Sequence, residues 1–368
     1  MTLKSPLQVG TACGQPGKIV YGTLEAVELP TGGADQFPII IVQGEERGPV
    51  LWLTGSIHGA EYTGIAVIHE LLTPELAMRI HGAIVAVPNL NPAGLRTGQR
   101  APYYGAGQDP NRLFPGFVRR PGLSTELPPS AMEVAYERLF NCIRETADYL
   151  IDLHNYSIGA LSFAFRDPIY YRGGRDRAVA EHLQSTTGQM LEAFGHTIIN
   201  EYVSTEYVRL NLHRSTSGAA LNTARIPAFT AELGGYMTVD RSIVGAAVSG
   251  IRNVMRWATM LDGPMESISG IKVLTPGYPM RRMQHPQAPA SGIIHYLVKA
   301  GDTVVAGEPV VRLTDIYGRP VGDDDGHIRT EHDGIVIGLS LGAVCYKNET
   351  LMSLAVRDDE ELIHPLPG

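Results

Sequence analysis

Short apolar segments alternate with helical segments over most of the chain before Leu261, and this alternation constrains the fold more than any other feature. The apolar runs Val50–Ser56 and Tyr149–Leu153 are typical of strands that a sheet buries on both faces. Between them, Glu61–Leu72 carries apolar residues at helical spacing. Strands that alternate with helices predict an α/β fold, with a mixed, mostly parallel sheet that helices flank on both faces.

The same reasoning gives the other predicted elements before Leu261. The predicted strands are Pro38–Gln43, Ala83–Val87, Leu161–Phe165, Thr197–Ile199 and Ile226–Ala231, and the predicted helices are Pro129–Thr146, Asp176–Phe194 and Asp240–Leu261. The segment Pro88–Gly122 is rich in glycine, proline and asparagine, so we expect a long loop. A loop of that length inside a domain usually builds a functional site.

Polar side chains follow three of the predicted strands. His58 and Glu61 come after one strand, His154 after the second and Glu232 after the third. Ligands of open α/β sheets bind beyond the carboxyl ends of the strands. We therefore expect these distant residues to meet in one pocket.

The pattern changes after about Gly270, where helical periodicity gives way to short β-like runs separated by turns. This change predicts two domains, residues 1–265 and residues 266–368, the second small, all-β and barrel-like. The segment Gly292–Glu308 is similar to the half-barrel of biotinyl and lipoyl carrier domains. No lysine lies between Ala300 and Tyr346 to accept a prosthetic group, so a swinging-arm role is not expected.

Composition excludes several classes of protein. The net charge is −8 and the basic residues are scattered, which argues against a nucleic-acid partner. No apolar run is long enough to cross a bilayer, and Met1–Gly10 lacks the layout of a secretory signal. The three cysteines are far apart in sequence and odd in number, which argues against a disulfide framework. A cytoplasmic protein is therefore expected.

His58 and Glu61 have a spacing that suits a metal site. If the turn leads directly into a helix, residues three apart lie on one side of its first turn. Catalytic zinc takes three nitrogen or oxygen ligands from the protein, and His154 is the best third ligand because it ends a buried strand. Asp152 or backbone carbonyls would orient the rings. The alternative interpretation is a chance spacing, with each histidine hydrogen-bonded in a loop.

Four motifs occur in order along the chain: GSIHGAE, DPNR, DLH and TAELGG. This set resembles the succinylglutamate desuccinylase/aspartoacylase family, a branch of the zinc carboxypeptidase (M14-like) fold. The resemblance covers roughly Gly44 to Leu261, and the C-terminal segment also fits that branch. It implies one zinc ion per chain, with His58, Glu61 and His154 as ligands, and it implies that Glu232 is the catalytic carboxylate.

The resemblance also implies a substrate-binding pair, Asn111 and Arg112, that grips a carboxylate. Arg100 matches the arginine that polarises the scissile carbonyl. This match is the loosest, because the segment before Asn111 is longer than the family pattern. Arg96 therefore competes with Arg100 for the same role.

The implied activity is hydrolysis of the amide bond of a small N-acyl amino acid or a related carboxylate-bearing amide. Two alternatives remain open: a metallocarboxypeptidase that acts on peptide C-termini, and an inactive carboxylate-binding protein. An open groove would favour peptides, whereas a β domain that narrows the cleft would favour small substrates. The acyl group and the amino acid are not identified by the sequence. Family members commonly form dimers or tetramers, so a homo-oligomer is an expectation from the resemblance.

Overall fold

The computed structural model describes residues 7–105, 107–117 and 128–367. The strands are β1 (Gln8–Val9), β2 (Ala12–Cys13), β3 (Lys18–Glu28), β4 (Ala34–Gln43), β5 (Glu46–Gly55), β6 (His81–Val87), β7 (Tyr149–His154), β8 (Ser162–Arg166), β9 (Ile169–Tyr171), β10 (Thr197–Asn200), β11 (Ala228–Leu233), β12 (Met280–Gln284), β13 (Gly292–Tyr296), β14 (Thr303–Val304), β15 (Pro309–Thr314), β16 (His327–Arg329), β17 (Gly334–Leu339), β18 (Val344–Cys345), β19 (Met352–Arg357) and β20 (Ile363–Pro365). The α-helices are α1 (Thr63–Leu71), α2 (Pro74–Ala77), α3 (Pro92–Thr97), α4 (Ala131–Thr146), α5 (Gly174–Phe194), α6 (Ser204–Arg209), α7 (Thr216–Ala219) and α8 (Arg241–Trp257). No helix within these ranges is long and apolar enough to cross a membrane.

One twelve-stranded sheet organises the molecule, in the order β14-β17-β19-β12-β10-β8-β11-β7-β5-β6-β4-β3. Its centre, β6-β5-β7-β11, is parallel, whereas β8 pairs with β11 in the antiparallel sense. The carboxyl ends of β5, β7 and β11 therefore lie at the same edge. The predicted mixed sheet flanked by helices is confirmed.

The sheet separates two apolar cores, because successive side chains of a strand point to opposite faces. On β5, Trp52 packs into the core that includes α4, whereas Leu51 and Leu53 pack into the core that includes α1, α5 and α8. A capping box between Ser130 and Glu133 fixes the start of α4. The two-sided burial explains why β5 and β7 read as continuous apolar runs.

The chain after Gly270 supplies two sets of strands. β13, β15, β16 and β18 form a separate antiparallel sheet, which confirms the prediction of a smaller C-terminal β region. The strands β12, β14, β17 and β19 instead extend the main sheet. The sheet thus continues across the predicted boundary between residues 265 and 266, and the division into two domains stays a prediction.

Several predicted bounds were wrong. Helix α8 ends at Trp257 rather than Leu261, and Thr259 takes a left-handed conformation with φ 58°. The expected loop Pro88–Gly122 contains α3 and a 3-10 turn at Pro110–Arg112, and residues 106 and 118–122 of it lie outside the described residues. The side chain of Asn91 caps α3, Pro92 is its first residue and Gly98 follows it in a left-handed conformation. Strand β3 was not predicted.

Candidate active site

His58 and Glu61 lie in the turn between β5 and α1. The helix begins at Thr63, so the predicted helix start at Glu61 was wrong and the two residues do not share a first helical turn. The turn is held instead by a hydrogen bond from Glu61 N to His58 O at 3.0 Å and by Asn89, whose Nδ2 donates to Ser56 Oγ at 2.9 Å. Both side chains still point to one place, because the bent backbone brings them together.

His154 is the last residue of β7 and pairs in register with Glu232 of β11. It is 3% exposed, and its Nδ1 lies 3.0 Å from Glu61 Oε2. The His58 Nδ1 atom lies 2.8 Å from Glu61 Oε1. The sheet therefore brings together three donor residues that the sequence separates.

The geometry of the two imidazoles fits a metal ion. His58 Nε2 lies 3.0 Å from Asp109 Oδ1, and His154 Nε2 lies 2.8 Å from Asp152 Oδ2. A carboxylate at Nε2 holds the proton there, which leaves the Nδ1 lone pair free for a metal. One ligand atom from each of the three buried donor residues lies within 4.8 Å of the other two. Two nitrogens and a carboxylate oxygen form a donor set that zinc accepts.

The charges of neighbouring side chains shift the pKa values of the residues in the metal-binding group. Burial raises the pKa of the Glu61 carboxyl, but the neighbouring charges of His58 and His154 outweigh it and hold that pKa well below its usual range. Burial lowers the pKa of His154, but Asp152 and Glu61 outweigh it and hold that pKa well above its usual range. A carboxylate beside two imidazoles thus favours positive charge at this point, whether a proton or a metal ion supplies it.

Glu232 lies next to this group at the carboxyl end of β11. It is 7% exposed, and its Oε2 atom has no hydrogen-bond partner within the described ranges. Burial raises the pKa of Glu232 to about 8, although the charge of His154 lowers it. A carboxyl group of this kind exchanges its proton near neutral pH.

Arg100 and Arg96, the two candidates for polarising the substrate carbonyl, lie in different places. Arg100 Nη1 donates to Glu61 Oε1 at 3.3 Å and its Nη2 to Asp109 Oδ2 at 3.1 Å, so its guanidinium faces the metal-binding group. Arg96 instead pairs with Asp35 at 2.7 Å, outside the pocket. Arg100 therefore lines the pocket with the metal-binding group, and Arg96 does not.

Asn111 and Arg112 follow Asp109 in the 3-10 turn and line the same pocket. Asn111 Oδ1 accepts from the backbone N–H of Thr216 at 2.9 Å, which leaves its amide N–H groups as donors. Arg112 Nε donates to Leu210 O at 3.0 Å, and its Nη2 lies 3.9 Å from Asp109. The role of Asp109 was not predicted, although its contact with His58 depends on the turn that the DPNR motif forms.

The pocket that joins these residues has a volume of about 440 Å³. The C-terminal strands form one wall. Leu339 N donates to Ile158 O at 3.2 Å, Leu161 N donates to Ile337 O at 3.1 Å, and Tyr156 Oη donates to Ser353 Oγ at 2.8 Å. The C-terminal strands therefore line part of the pocket beside the metal-binding group.

Three charged residues of the pocket were not singled out from the sequence: Asp167, Glu201 and Arg282. Arg282 pairs with Glu201 at 2.7 Å and stacks between the rings of Phe165 and Tyr202, with ring-centre distances of 4.5 Å and 4.1 Å. They come from segments after β8, after β10 and within β12, so no sequence spacing connects them.

A second group of potential metal donors, His285, Glu331 and His332, lies in the C-terminal region. It is partly exposed, and His285 Nε2 already accepts the backbone N–H of Glu331 at 3.1 Å. This group is therefore a weaker metal site than the buried one.

The sequence is similar to proteins whose family is known. The family model described as the succinylglutamate desuccinylase/aspartoacylase catalytic domain matches residues 47–258. The N-alpha-acetyl-L-2,4-diaminobutyric acid deacetylase of Halomonas elongata is 23% identical over 334 residues, which are 88% of this chain and 86% of that protein.

Solved structures share the fold. The product-bound ectoine utilization protein of Ruegeria pomeroyi has a TM-score of 0.70 at 19% identity, with 97% of this chain and 98% of that chain covered. A succinylglutamate desuccinylase from Silicibacter sp. TM1040 has a TM-score of 0.71 at 19% identity, with the same coverage of both chains. At these identities the likeness establishes the shared architecture.

Proposed function

Because the chain belongs to the succinylglutamate desuccinylase/aspartoacylase family, we propose that it is a zinc-dependent deacylase that hydrolyses the amide bond of a small N-acyl amino acid. One observation carries the proposal. A single pocket is lined by three buried metal donors, the carboxyl group of Glu232 and the guanidinium groups of Arg100 and Arg112. The Halomonas relative is named for removing an acetyl group from an amino acid, which supports amide hydrolysis.

His58, Glu61 and His154 would hold the metal, with Asp109 and Asp152 fixing the two rings. When bound, zinc supplies Lewis acidity, which lowers the pKa of water and polarises a carbonyl group. The buried carboxylate and the two Nδ1 atoms support zinc over magnesium, which prefers oxygen ligands and keeps several waters.

Glu232 would move the proton. Its Oε2 atom accepts a proton from the attacking water and later returns it to the leaving amine nitrogen. Without a metal ion, burial raises the pKa of Glu232 to about 8, and the positive charge of a bound metal ion would lower that pKa towards neutral pH. Proton transfer by a positioned side chain contributes typically 10²- to 10⁴-fold to the rate.

Arg100 would stabilise the negative charge that develops on the carbonyl oxygen during attack. Its guanidinium is held by Glu61 and Asp109, so it is oriented before substrate arrives. A preorganised donor of this kind is worth about 3 kcal/mol in comparable sites. This value applies to the transition state, where the charge is largest.

Arg112 and Asn111 would bind the substrate carboxylate. A guanidinium presents two parallel N–H groups that match a carboxylate, and Asn111 adds amide donors because its oxygen is already occupied by Thr216. Hydrogen bonds with Leu210 and with the Asn111 carbonyl position the Arg112 side chain.

The size of the pocket favours a small substrate over a peptide. A cavity of about 440 Å³ accommodates an acylated amino acid, and β17 and its neighbours line one side of it. The metallocarboxypeptidase alternative needs a groove open to polypeptide. The inactive alternative gives no reason for a buried Glu232 whose Oε2 atom has no hydrogen-bond partner among the described residues.

One experiment tests the proposal. Zinc-loaded protein is assayed for amine release from N-acetyl and N-succinyl amino acids, and from dipeptides blocked at the N-terminus. We expect hydrolysis of at least one acylated amino acid and little of the peptides. Preferred cleavage of the peptides would support a carboxypeptidase, and no cleavage of either class would refute the proposal.

We also propose a cytoplasmic location. Cys13, Cys142 and Cys345 are all free thiols in the structure. Free, widely separated cysteines are typical of proteins in a reducing compartment.

A further inference from the structure

The side chain of Asn155 lies at the centre of a hydrogen-bond network beside the metal-binding group. Asn155 follows His154 directly and is 3% exposed. Its Oδ1 atom accepts the backbone N–H of Thr63, the first residue of α1, at 3.0 Å. Its Nδ2 atom donates to Thr63 Oγ1 at 2.8 Å and to Gly235 O at 2.7 Å. The amide group therefore contacts both the start of α1 and the segment that follows β11.

The segment after β11, residues 233–238, is held by side chains rather than by regular structure. Residues 234–239 belong to no strand or helix. Asn155 Nδ2 also lies 3.2 Å from Leu233 O and 3.3 Å from Thr238 O. Thr63 Oγ1 donates to Thr238 O at 3.0 Å. The Asn155–Thr63 pair thus binds three backbone carbonyl groups of the 233–238 turn.

This pair connects the two parts of the proposed reaction centre. Glu232, the proposed proton carrier, directly precedes the 233–238 turn. Glu61, a metal donor, lies two residues before Thr63. The reacting groups of an enzyme must be held closely, because a displacement of about 1 Å can lower the rate on the order of 100-fold. A link between the two segments can therefore set the position of Glu232 relative to the metal.

Asn155 lines the pocket, but its side chain is not placed to bind a substrate. The Nδ2 atom has two protons and four acceptors within 3.3 Å, and Oδ1 accepts from Thr63. The metal donors have contacts of their own: the backbone N–H of Asn155 donates to Glu61 Oε2 at 3.1 Å, and Arg100 Nη1 donates to Glu61 Oε1 at 3.3 Å. Substitution of the Asn155 side chain leaves both contacts available.

We infer that the Asn155–Thr63 pair positions Glu232 for proton transfer by fixing the 233–238 turn against the metal-binding turn. The inference rests on the proposed deacylase function and deepens it. Asn155 and Thr63 are positioning residues, because they act through Glu232 and not on the substrate. Loss of the pair is therefore expected to slow proton transfer, and to leave zinc binding and substrate binding nearly unchanged.

The test uses two disruptive variants and two controls. Asn155→Ala removes the amide group, and Thr63→Ala removes the hydroxyl group that contacts Thr238. Thr63→Ser keeps that hydroxyl group. Asn253→Ala is the matched control, because Asn253 is also 3% exposed and its amide group binds the backbone N–H and C=O of Glu266, at 2.6 Å and 2.8 Å, outside the pocket.

The first readout is the kinetics of zinc-loaded protein on an N-acyl amino acid that the wild type hydrolyses. Asn155→Ala is expected to lower kcat at least about tenfold and Thr63→Ala at least about threefold, with KM and zinc affinity within about threefold of wild type. Thr63→Ser and Asn253→Ala are expected to keep kcat within about twofold. An unchanged kcat in Asn155→Ala would overturn the inference, as would an equal fall in Asn253→Ala or a loss of zinc affinity as large as the loss of kcat.

The second readout, backbone hydrogen exchange measured by mass spectrometry, does not depend on activity. Tyr156 N donates to Gly234 O at 2.9 Å and Tyr236 N donates to Ser157 O at 3.4 Å, so these amides report on the 233–238 turn. Asn155→Ala is expected to speed exchange of peptides that contain them at least about tenfold, because the turn opens locally. Peptides of β5 should be unchanged, and so should every peptide of the turn in Asn253→Ala. Unchanged exchange of the turn in Asn155→Ala would overturn the inference.

The two readouts separate the inference from the proposed function. If the wild type hydrolyses no acylated amino acid, the deacylase proposal fails, and hydrogen exchange still decides whether the pair fixes the turn. If Asn155→Ala fails to fold, the comparison of Thr63→Ala with Thr63→Ser decides. Slower turnover and faster exchange in Thr63→Ala alone would support the inference, and equal values in these two variants would overturn it.

Discussion

Asp152 offers a sharp test of how the chain prepares its metal ligand. Its side chain is fully buried, and its two oxygens have different partners. Oδ2 lies 2.8 Å from His154 Nε2, and Oδ1 accepts the hydroxyl proton of Thr54 at 2.7 Å. Only a carboxylate can accept at both positions. The substitution Asp152→Asn keeps the size and shape but leaves one acceptor where there were two.

The substitution changes which ring nitrogen of His154 carries the proton. If the new amide oxygen stays on Thr54, the amide N–H₂ faces Nε2 and favours the ring tautomer that carries its proton on Nδ1. That proton blocks the atom that faces Glu61. If the amide flips, the Thr54 hydroxyl loses its acceptor in a buried place, at a cost of about 1–3 kcal/mol. Loss of such a carboxylate partner weakens metal binding by typically 10- to 100-fold, and we expect a change in this range for zinc.

The assay is a competition titration of zinc against a chelator of known affinity, at constant pH, on wild type and Asp152→Asn. Thr54→Val is the matched control, because it removes the hydroxyl group and leaves the carboxylate on His154. The control is expected to change zinc affinity by less than about threefold. A zinc affinity of Asp152→Asn within twofold of wild type would refute the tautomer argument.

Further predictions concern the pocket. Glu232→Gln is expected to keep zinc and to lower kcat by at least about 100-fold, because an amide cannot accept the proton of water. Elemental analysis measures the zinc content, and steady-state kinetics measure kcat. A variant with unchanged turnover would contradict the role of Glu232 as the base. Glu201→Gln removes the carboxylate that pairs with Arg282, whose side chain is only 10% exposed. The free energy of unfolding, measured in urea, is therefore expected to fall by about 3–5 kcal/mol. A fall below about 1 kcal/mol would contradict the importance of this ion pair. Burial raises the pKa of Asp167 to about 7, above the value of about 3.9 for an exposed aspartate, so the folded state binds a proton more tightly than the unfolded state. Its contribution to stability is fully present below about pH 4 and is lost as pH rises through about 7, so Asp167→Asn is expected to become progressively more stable relative to wild type across this window. Urea unfolding at several pH values checks the sign, and a constant difference would contradict it.

The predicted strands and helices that matched the structure are those whose burial leaves a strong local pattern. Strand β7 reads as a continuous apolar run because both of its faces are covered, and His154 ends it as expected. Strand β3 was missed because its side chains are mostly exposed or half-buried, which leaves a weak pattern. Helix α3 was missed inside a segment rich in turn residues, although Asn91 and Pro92 are ordinary signals for a helix start.

Some residues of the candidate site could be predicted from the sequence, and others could not. His58, Glu61, His154 and Glu232 could be proposed together because parallel strands bring their carboxyl ends to one edge. The contact between Asp109 and His58, at 3.0 Å, depends on the path of the loop and left no spacing to recognise. Asp167 and Arg282 enter the pocket only because β8, β10 and β12 are neighbours in the sheet, and sequence periodicity does not determine that order.

The central claim is that His58, Glu61 and His154 together bind one zinc ion. Elemental analysis of the purified protein, after zinc loading and removal of loosely bound metal, measures this directly. We expect close to one zinc per chain in the wild type and a substoichiometric amount in His58→Ala and in His154→Ala, with circular dichroism showing that both variants are folded. Folded variants that retain one zinc per chain, or a wild type that retains none, would contradict the claim.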